Sequence, residues 1–241
     1  HMKKSWYNRS YRRCLVDMHI ADWNEKFFSR LDPENYAEMM STGGVDTAII
    51  YAASCLGICN WPTKHGYMHK QLKGRDILKE IIGACRKRRL NITVYFNIWS
   101  RWAYDSHPEW RIVLPTGKGT VEDGGRFGLC CPNTGYHEYV LKMINELCSG
   151  YDCDGLWVDM IGWFGQICYC HGCRKRFLEE TGFEIPREID WDNEKWILFL
   201  RKRQEWLADF AEAVSSAAKK AKPGISVALQ CTSMVNGWRG G

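Results

Sequence analysis

The chain has 241 residues, 45% of them apolar, and a formal net charge of +5. This length can bury a sizeable core, and α/β barrels of similar length often form one domain. The 33 basic and 28 acidic residues are interspersed instead of forming a tail, which argues against a dedicated nucleic-acid binder. A membrane-spanning helix needs about 20 consecutive apolar residues, and no apolar run in the sequence is close to that length. We therefore expect no membrane partner.

The N-terminus reads His1-Met2-Lys3-Lys4, which is typical of a cloning remnant. We therefore predict a tag remnant and lead-in at residues 1–13 and a barrel-type domain at residues 14–241. Several of the 12 cysteines lie inside apolar runs, where a small buried thiol suffices. This usage of cysteine, together with a clustered set, is typical of a reducing compartment and predicts a cytoplasmic location.

Short apolar runs alternate with amphipathic stretches at helical spacing along the chain. The predicted strands, in order, are residues 14–20, 47–51, 92–96, 155–158 and 225–229. The predicted helices are residues 33–40, 74–89, 135–148, 174–180 and 193–222. Asp32 is placed to cap the first helix, and Gly43-Gly44 to end it.

This alternation predicts parallel strands joined by right-handed crossovers, in a barrel or a doubly wound sheet. No glycine-rich phosphate turn follows the first strand, which disfavours a dinucleotide-binding sheet. The long aromatic-rich segments all follow strand ends, the face on which a (β/α)₈ barrel has its active site. We therefore predict an α/β fold, a (β/α)₈ TIM barrel truncated after about five units. The open edge of such a fragment predicts association into a homo-oligomer.

Asp159 ends the fourth predicted strand, in Gly155-Leu156-Trp157-Val158-Asp159. Barrel enzymes project catalytic carboxylates from that position, although an aspartate there can also cap a turn or pair with an arginine. The aromatic loops on this face favour catalysis on sugars, because flat rings stack on the apolar faces of sugars while polar groups bind the hydroxyls.

Other candidates for sugar binding lie at strand ends and in the loops that follow. Asp17 and His19 are two residues apart and share a strand face, either as a pair that binds substrate or as a structural pair. The loop aromatics, among them Phe164, are either sugar platforms or core beneath long loops. The predicted substrate-binding set is Asp17, His19, Tyr51, Asn97, Trp99, Trp102, His107, Trp110, Trp157 and Trp163.

A cysteine motif, Cys168-Tyr169-Cys170-His171-Gly172-Cys173, begins nine residues after Asp159. Three thiols spaced C-x-C-x-x-C indicate a zinc site, and structural zinc takes four ligands. His171 is poorly placed to be the fourth ligand, whereas Cys130 or Cys131 could come from the preceding loop. The alternative is a set of metal-free cysteines. A site of four cysteines would be structural and would not activate water.

These motifs resemble the glycoside hydrolases of family 42, whose fourth-strand carboxylate precedes a zinc-binding C-x-C-x-x-C loop. The chain looks even closer to the uncharacterised hypothetical glycosyl hydrolases, over roughly residues 14–186. The motifs that carry this resemblance are Val16-Asp17-Met18-His19, His107-Pro108-Glu109-Trp110, Leu129-Cys130-Cys131-Pro132-Asn133, Asp154-Gly155-Leu156-Trp157-Val158-Asp159 and Cys168-Tyr169-Cys170. The resemblance implies a structural zinc bound by Cys131, Cys168, Cys170 and Cys173.

The resemblance implies a mechanism with two carboxylates and leaves the role of Asp159 open. Family 42 has Asn-Glu where this chain has Val158-Asp159, so a shorter carboxylate occupies the acid/base position. The fucosidases of family 29 carry a Trp-x-Asp motif similar to Trp157-Val158-Asp159, and their aspartate is the nucleophile. In these families the partner carboxylate lies on a later strand. Asp105 and Glu109 read as solvated or substrate-edge residues.

We therefore predict a retaining glycoside hydrolase with Asp159 as acid/base or nucleophile, acting on a β-galactoside or an α-L-fucoside. Carbohydrate is the expected partner and zinc the expected metal, with no organic cofactor. One alternative is a sugar-binding barrel without catalysis. Another is a zinc-stabilised nucleic-acid module with residues 86–89 and 174–176 as basic contacts, which is disfavoured because solvated helix faces usually explain such charges.

Overall fold

The computed structural model describes residues 5–163 and 166–231, without the side chain of Cys231. Phe164, residues 1–4 of the predicted lead-in and residues 232–241 of the predicted barrel domain therefore lie outside the described residues. The strands are β1 Arg13–Leu15, β2 Thr47–Ala53, β3 Ile58–Cys59, β4 Tyr67–Met68, β5 Asn91–Asn97, β6 Gly155–Ile161 and β7 Ser226–Cys231. The helices are α1 Pro33–Thr42, α2 Ile77–Lys87, α3 Arg101–Ser106, α4 Tyr136–Gly150, α5 His171–Thr181 and α6 Glu194–Ala221. Within these residues, no helix has the length and apolar character to cross a bilayer.

The strands form one mixed sheet. The parallel part of the sheet has the order β1, β2, β5, β6, β7. β3 pairs antiparallel with the end of β2, and β4 pairs parallel with β3 at the edge of the sheet. The α/β class and the parallel order are as predicted. The closed (β/α)₈ barrel is not confirmed, because β1 and β7 end the parallel run without pairing to each other in the described ranges. The sheet is open.

Side-chain caps set several helix boundaries. The carboxylate of Asp32 accepts from the amide of Glu34 at 2.9 Å, so α1 begins at Pro33 as predicted. Asp76 caps α2 by accepting from the amide of Lys79 at 2.9 Å. Because this cap starts the helix, α2 begins at Ile77, three residues later than predicted.

Two predictions about the loops were wrong. The first strand was predicted to reach residue 20, but β1 pairs with β2 only through Leu15, so Asp17 and His19 lie beyond the strand. The segment after β5 was predicted to be a loop and contains the short helix α3. The hydroxyl of Ser100 starts that helix by accepting from the amide of Ala103 at 3.1 Å.

The apolar side chains form two cores. The larger core lies between the sheet and helices α1, α2, α4 and α6. The second core packs the loops before α4 and after β6 against α5 and α6, and its fully buried members include Trp163, Phe177, Trp196 and Trp206. It also encloses Arg203, whose guanidinium lies over the Trp163 ring at 5.2 Å and donates to the carbonyl of Gln166 at 2.7 Å. This second core supports the loops beside the end of β6.

Candidate active site

Asp159 lies near the carboxyl end of β6 and is 6% exposed. The β6–β7 register shifts between Val158 and Ile161, and Met160 has a left-handed φ of 67°. Such irregularities re-aim side chains at the rims of sheets. Here the turn directs the amide of Met160 to the Oδ1 atom of Asp159, at 2.8 Å. The carboxylate is thus held by its own strand.

A second donor reaches Asp159 from the neighbouring strand. The hydroxyl of Tyr95 donates to Oδ2 of Asp159 at 2.5 Å, and Asn97 donates to that hydroxyl at 2.9 Å. Trp157 packs edge-on against the Tyr95 ring, with centroids 5.5 Å apart. Burial, and then the Asp159 carboxylate, raise the pKa of Tyr95, so its hydroxyl stays a protonated donor at neutral pH.

The network continues to the loop after β1. Tyr51 stacks on Tyr95 with centroids 4.1 Å apart, and its hydroxyl donates to Asp17. His19 Nε2 lies 3.0 Å from Oδ1 of Asp17 and 3.3 Å from the Tyr51 hydroxyl. The side chains of Asp17 and His19 are 67% and 40% exposed, so this end of the network is open to solvent. It presents hydrogen-bonding groups to a polar ligand.

The structure therefore brings together five predicted substrate-binding residues around Asp159, namely Asp17, His19, Tyr51, Asn97 and Trp157. Tyr95 was not among the predicted site residues. The sequence pattern could have predicted Tyr95, because Tyr95 and Asn97 are two residues apart on β5 and their side chains therefore lie on the same face.

Other predicted aromatic residues lie elsewhere. Trp102, His107 and Trp110 form a ring cluster, in which His107 and Trp110 stack at 3.7 Å and both tryptophans contact Tyr139 of α4. This cluster packs the α3 segment against α4. Trp99 is half-buried and contacts Phe127, with centroids 4.7 Å apart.

Trp163 was predicted to bind sugar, but the structure places it in the second core, 1% exposed. Its indole nitrogen donates to the carbonyl of Arg203 at 3.0 Å. The ring face and the indole N–H therefore both contact other protein groups and are not available to a ligand. The carboxylates of Asp105 and Glu109 are exposed and contact Arg101 and His107, at 2.7 and 3.1 Å.

The four predicted cysteine ligands form one buried group. Cys131 precedes α4, Cys168 and Cys170 follow β6, and Cys173 lies in the first turn of α5. Their sulfur atoms all lie within 4.8 Å of one another, and Cys131 rather than Cys130 completes the set. Tetrahedral zinc with bonds of about 2.3 Å would space the sulfurs by about 3.8 Å, so the group could hold a metal ion.

Hydrogen-bond donors and a cation lie close to the sulfurs. The Asn133 amide donates to Cys131 Sγ at 3.4 Å, and its side-chain nitrogen to Cys173 Sγ at 3.3 Å. Burial raises the pKa of the Cys131 thiol, whereas hydrogen bonds from the neighbouring thiols, Cys131 first, lower that of Cys170. Burial lowers the pKa of Arg203 to about 10 and the nearby thiols oppose this shift, so a cation lies close to the cluster.

Two solved structures have a similar fold. α-L-Fucosidase isoenzyme 2 from Paenibacillus thiaminolyticus aligns with a TM-score of 0.78 and 21% sequence identity, over 92% of this chain and 32% of that one. The β-galactosidase from Bacillus circulans sp. alkalophilus aligns with a TM-score of 0.61 and 15% identity, over 90% of this chain and 35% of that one. The chain thus spans about a third of the length of these two proteins.

No curated protein matches the chain significantly. Residues 32–160 match the family model described as hypothetical glycosyl hydrolase 6. This stretch is more than half of the chain, and it runs from the cap of α1 to the residue after Asp159. The chain therefore belongs to the hypothetical glycosyl hydrolase 6 family.

Proposed function

We propose that the chain is the amino-terminal portion of a (β/α)₈-barrel glycoside hydrolase. The parallel order β1, β2, β5, β6, β7 supports this proposal, because consecutive β/α units of a barrel give that order. The chain spans only about a third of the two similar structures, and this also supports the proposal that it is a portion of a larger protein. Further strands would close the sheet and supply the partner carboxylate.

We propose that Asp159 is the nucleophile of a retaining mechanism. The observation that carries this assignment is the pair of hydrogen bonds that its carboxylate accepts, from the Tyr95 hydroxyl and the Met160 amide. Donors to a carboxylate favour its ionised form, which a nucleophile needs. A general acid must instead keep its proton, and enzymes favour that by an apolar, donor-free environment.

In this mechanism, Asp159 attacks the anomeric carbon while the partner acid protonates the leaving oxygen, which gives a glycosyl-enzyme that water then hydrolyses. Asp17 and His19 are the open end of the network and would bind sugar hydroxyls. Trp157, which packs edge-on against Tyr95, would offer an apolar ring face. Asn97 and Tyr95 would position the nucleophile.

The substrate proposed is an α-L-fucoside, with a β-galactoside as the alternative. The Trp157-Val158-Asp159 motif and the closer fold similarity to the fucosidase support this order. The full-length protein should release nitrophenol from the aryl α-L-fucoside and much more slowly from the aryl β-D-galactoside. The opposite preference would make the enzyme a galactosidase. Binding of both sugars without release of nitrophenol would indicate a barrel that binds carbohydrate only.

The metal proposed for the four cysteines is a structural zinc ion. Four thiolate ligands leave no open position, so the ion would fix the two loops that carry Cys131 and Cys168 and would take no part in the chemistry. The amide donors of Asn133 and the nearby cation of Arg203 would offset the negative charge of such a site.

Replacing Tyr95 with Phe tests whether this hydroxyl positions the Asp159 carboxylate. Misplacement of a reacting group by about 1 Å can cost about 100-fold, so kcat/KM should fall about 10- to 100-fold. Steady-state kinetics of the full-length protein on the aryl α-L-fucoside measure the ratio.

The matched control is Tyr67→Phe, because Tyr67 also donates to an aspartate, Asp22 at 2.6 Å, outside the network around Asp159. Its kcat/KM should stay as in the wild type. An unchanged kcat/KM in Tyr95→Phe would show that this hydrogen bond does not position Asp159.

A further inference from the structure

One thiol lies outside the four-cysteine cluster and within the network described above. Cys55 follows β2, is 6% exposed, and its Sγ atom lies 3.3 Å from Nδ1 of His19. The other ring nitrogen of His19 lies 3.0 Å from Oδ1 of Asp17. The three side chains thus form the order thiol, imidazole, carboxylate, in which a nucleophile contacts a base and the base contacts an orienting group.

The tautomer of His19 follows from its partners. An ionised Asp17 only accepts hydrogen bonds, so the Nε2 atom that faces it carries the ring proton. Nδ1 then has a free lone pair directed at the thiol of Cys55. Tyr51 donates to the same carboxylate and holds Asp17 in place. His19 is therefore oriented to accept a proton from Cys55.

The turn that carries Cys55 is rigid. Its carbonyl accepts from the amide of Arg101 at 3.0 Å, and the carbonyl of Leu56 accepts from the amide of Trp102 at 3.0 Å. Gly57 has φ +72°, and a Cβ atom there would lie 2.0 Å from the hydroxyl of Ser100. Two hydrogen bonds and a close approach that only glycine permits therefore hold the backbone of the turn that carries Cys55.

Burial and the charged groups around Cys55 together decide the resting state of its thiol. Burial raises the pKa of the Cys55 thiol, the negative charges of Asp17 and Asp159 raise it further, and the charge of Arg126 opposes them. The thiol is thus protonated at rest, and attack needs a base at the moment of reaction. His19 is the base at the required place.

We propose that Cys55 is a covalent modification site, at which His19 acts as general base for addition of the thiol to small α,β-unsaturated carbonyl compounds. The sulfur forms a bond to the β-carbon of the alkene, and the thiol proton passes to His19 Nδ1 and from there to the α-carbon. The reaction is an addition, with no leaving group and no change of oxidation state for which a further reagent is needed. It does not depend on the glycosidase chemistry.

The test uses acrylamide as the probe on the intact protein, with the modification rate of each cysteine followed by peptide mass spectrometry. Cys14 is the internal standard, because it is more exposed than Cys55 and has no described contact with a histidine. We expect Cys55 to react at least about tenfold faster than Cys14. In His19→Gln this advantage should be lost, since general bases contribute about 100-fold or more.

His65→Gln is the matched control, since His65 is also exposed to solvent, and this variant should leave the rate at Cys55 unchanged. Asp17→Ala is the second variant and should lower that rate about threefold or more, because it releases the imidazole from its orientation. Equal rates at Cys55 and Cys14 in the wild type would overturn the proposal. An unchanged Cys55 rate in a folded His19→Gln protein would overturn it as well.

Discussion

Replacing Asp159 with Asn should lower turnover of an aryl α-L-fucoside by the full-length protein at least about 100-fold. The amide is isosteric with the carboxylate and its oxygen can still accept from one of the two donors, Tyr95 or the Met160 amide, so the fold should survive. What is lost is the negative oxygen that, in the proposed mechanism, attacks the anomeric carbon. Steady-state kinetics on wild type and variant give the ratio.

The control is Asp190→Asn, the same change at an exposed aspartate far along the chain, which should retain wild-type turnover. Azide added to Asp159→Gly separates the two roles of the carboxylate. If Asp159 is the nucleophile, azide replaces it and the product is a glycosyl azide of inverted anomeric configuration. A glycosyl azide of retained configuration would identify Asp159 as the acid/base. More than about a tenth of wild-type turnover in Asp159→Asn would remove the residue from the mechanism.

Replacing Cys131 with Ser should remove the metal and destabilise the protein by about 3 kcal/mol or more. A hydroxyl is a poor zinc ligand, and the loss of a structural metal is among the few changes that cost this much. Elemental analysis should give about one zinc per chain in the wild type and less than about a tenth of that in the variant. Thermal unfolding measures the destabilisation.

Cys130→Ser is a close control, because Cys130 is adjacent in sequence and outside the group of four. It should keep its zinc and unfold within about 1 kcal/mol of the wild type. A chelator should destabilise the wild type and Cys130→Ser and leave Cys131→Ser unchanged. Equal metal content in Cys131→Ser and the wild type would exclude the four-cysteine zinc site.

Local patterns were sufficient to predict most of the elements. The apolar runs at β2, β5, β6 and β7 and the amphipathic stretches at α2 and α6 gave the right type and order of element. The short strand β1 and the helix α3 were not predicted correctly. The end of β1 depends on its pairing with β2, and the start of α3 depends on the Ser100 cap. The pattern of apolar residues along the chain does not predict either contact.

The candidate site was predicted only in part, for a similar reason. A strand end places Asp159, and cysteine spacing together with a family resemblance gives the four thiols. The contact between Cys55 and His19 joins residues 36 positions apart, and the buried position of Trp163 depends on the packing of α6. Such features arise from tertiary structure, so neither spacing nor composition could predict them.

The four-cysteine group joins the loop before α4 to the loop after β6. The proposed zinc ion would make the two loops open together in local unfolding, so neither loop could then swing away from Asp159 by itself. Asp17 and His19, in the loop after β1 on the other side of Asp159, are exposed. Among the described residues, no such cysteine group links that loop to a second loop. We therefore expect a sugar to approach Asp159 from the β1 side, across Tyr51 and Tyr95, and the product to leave by the same route.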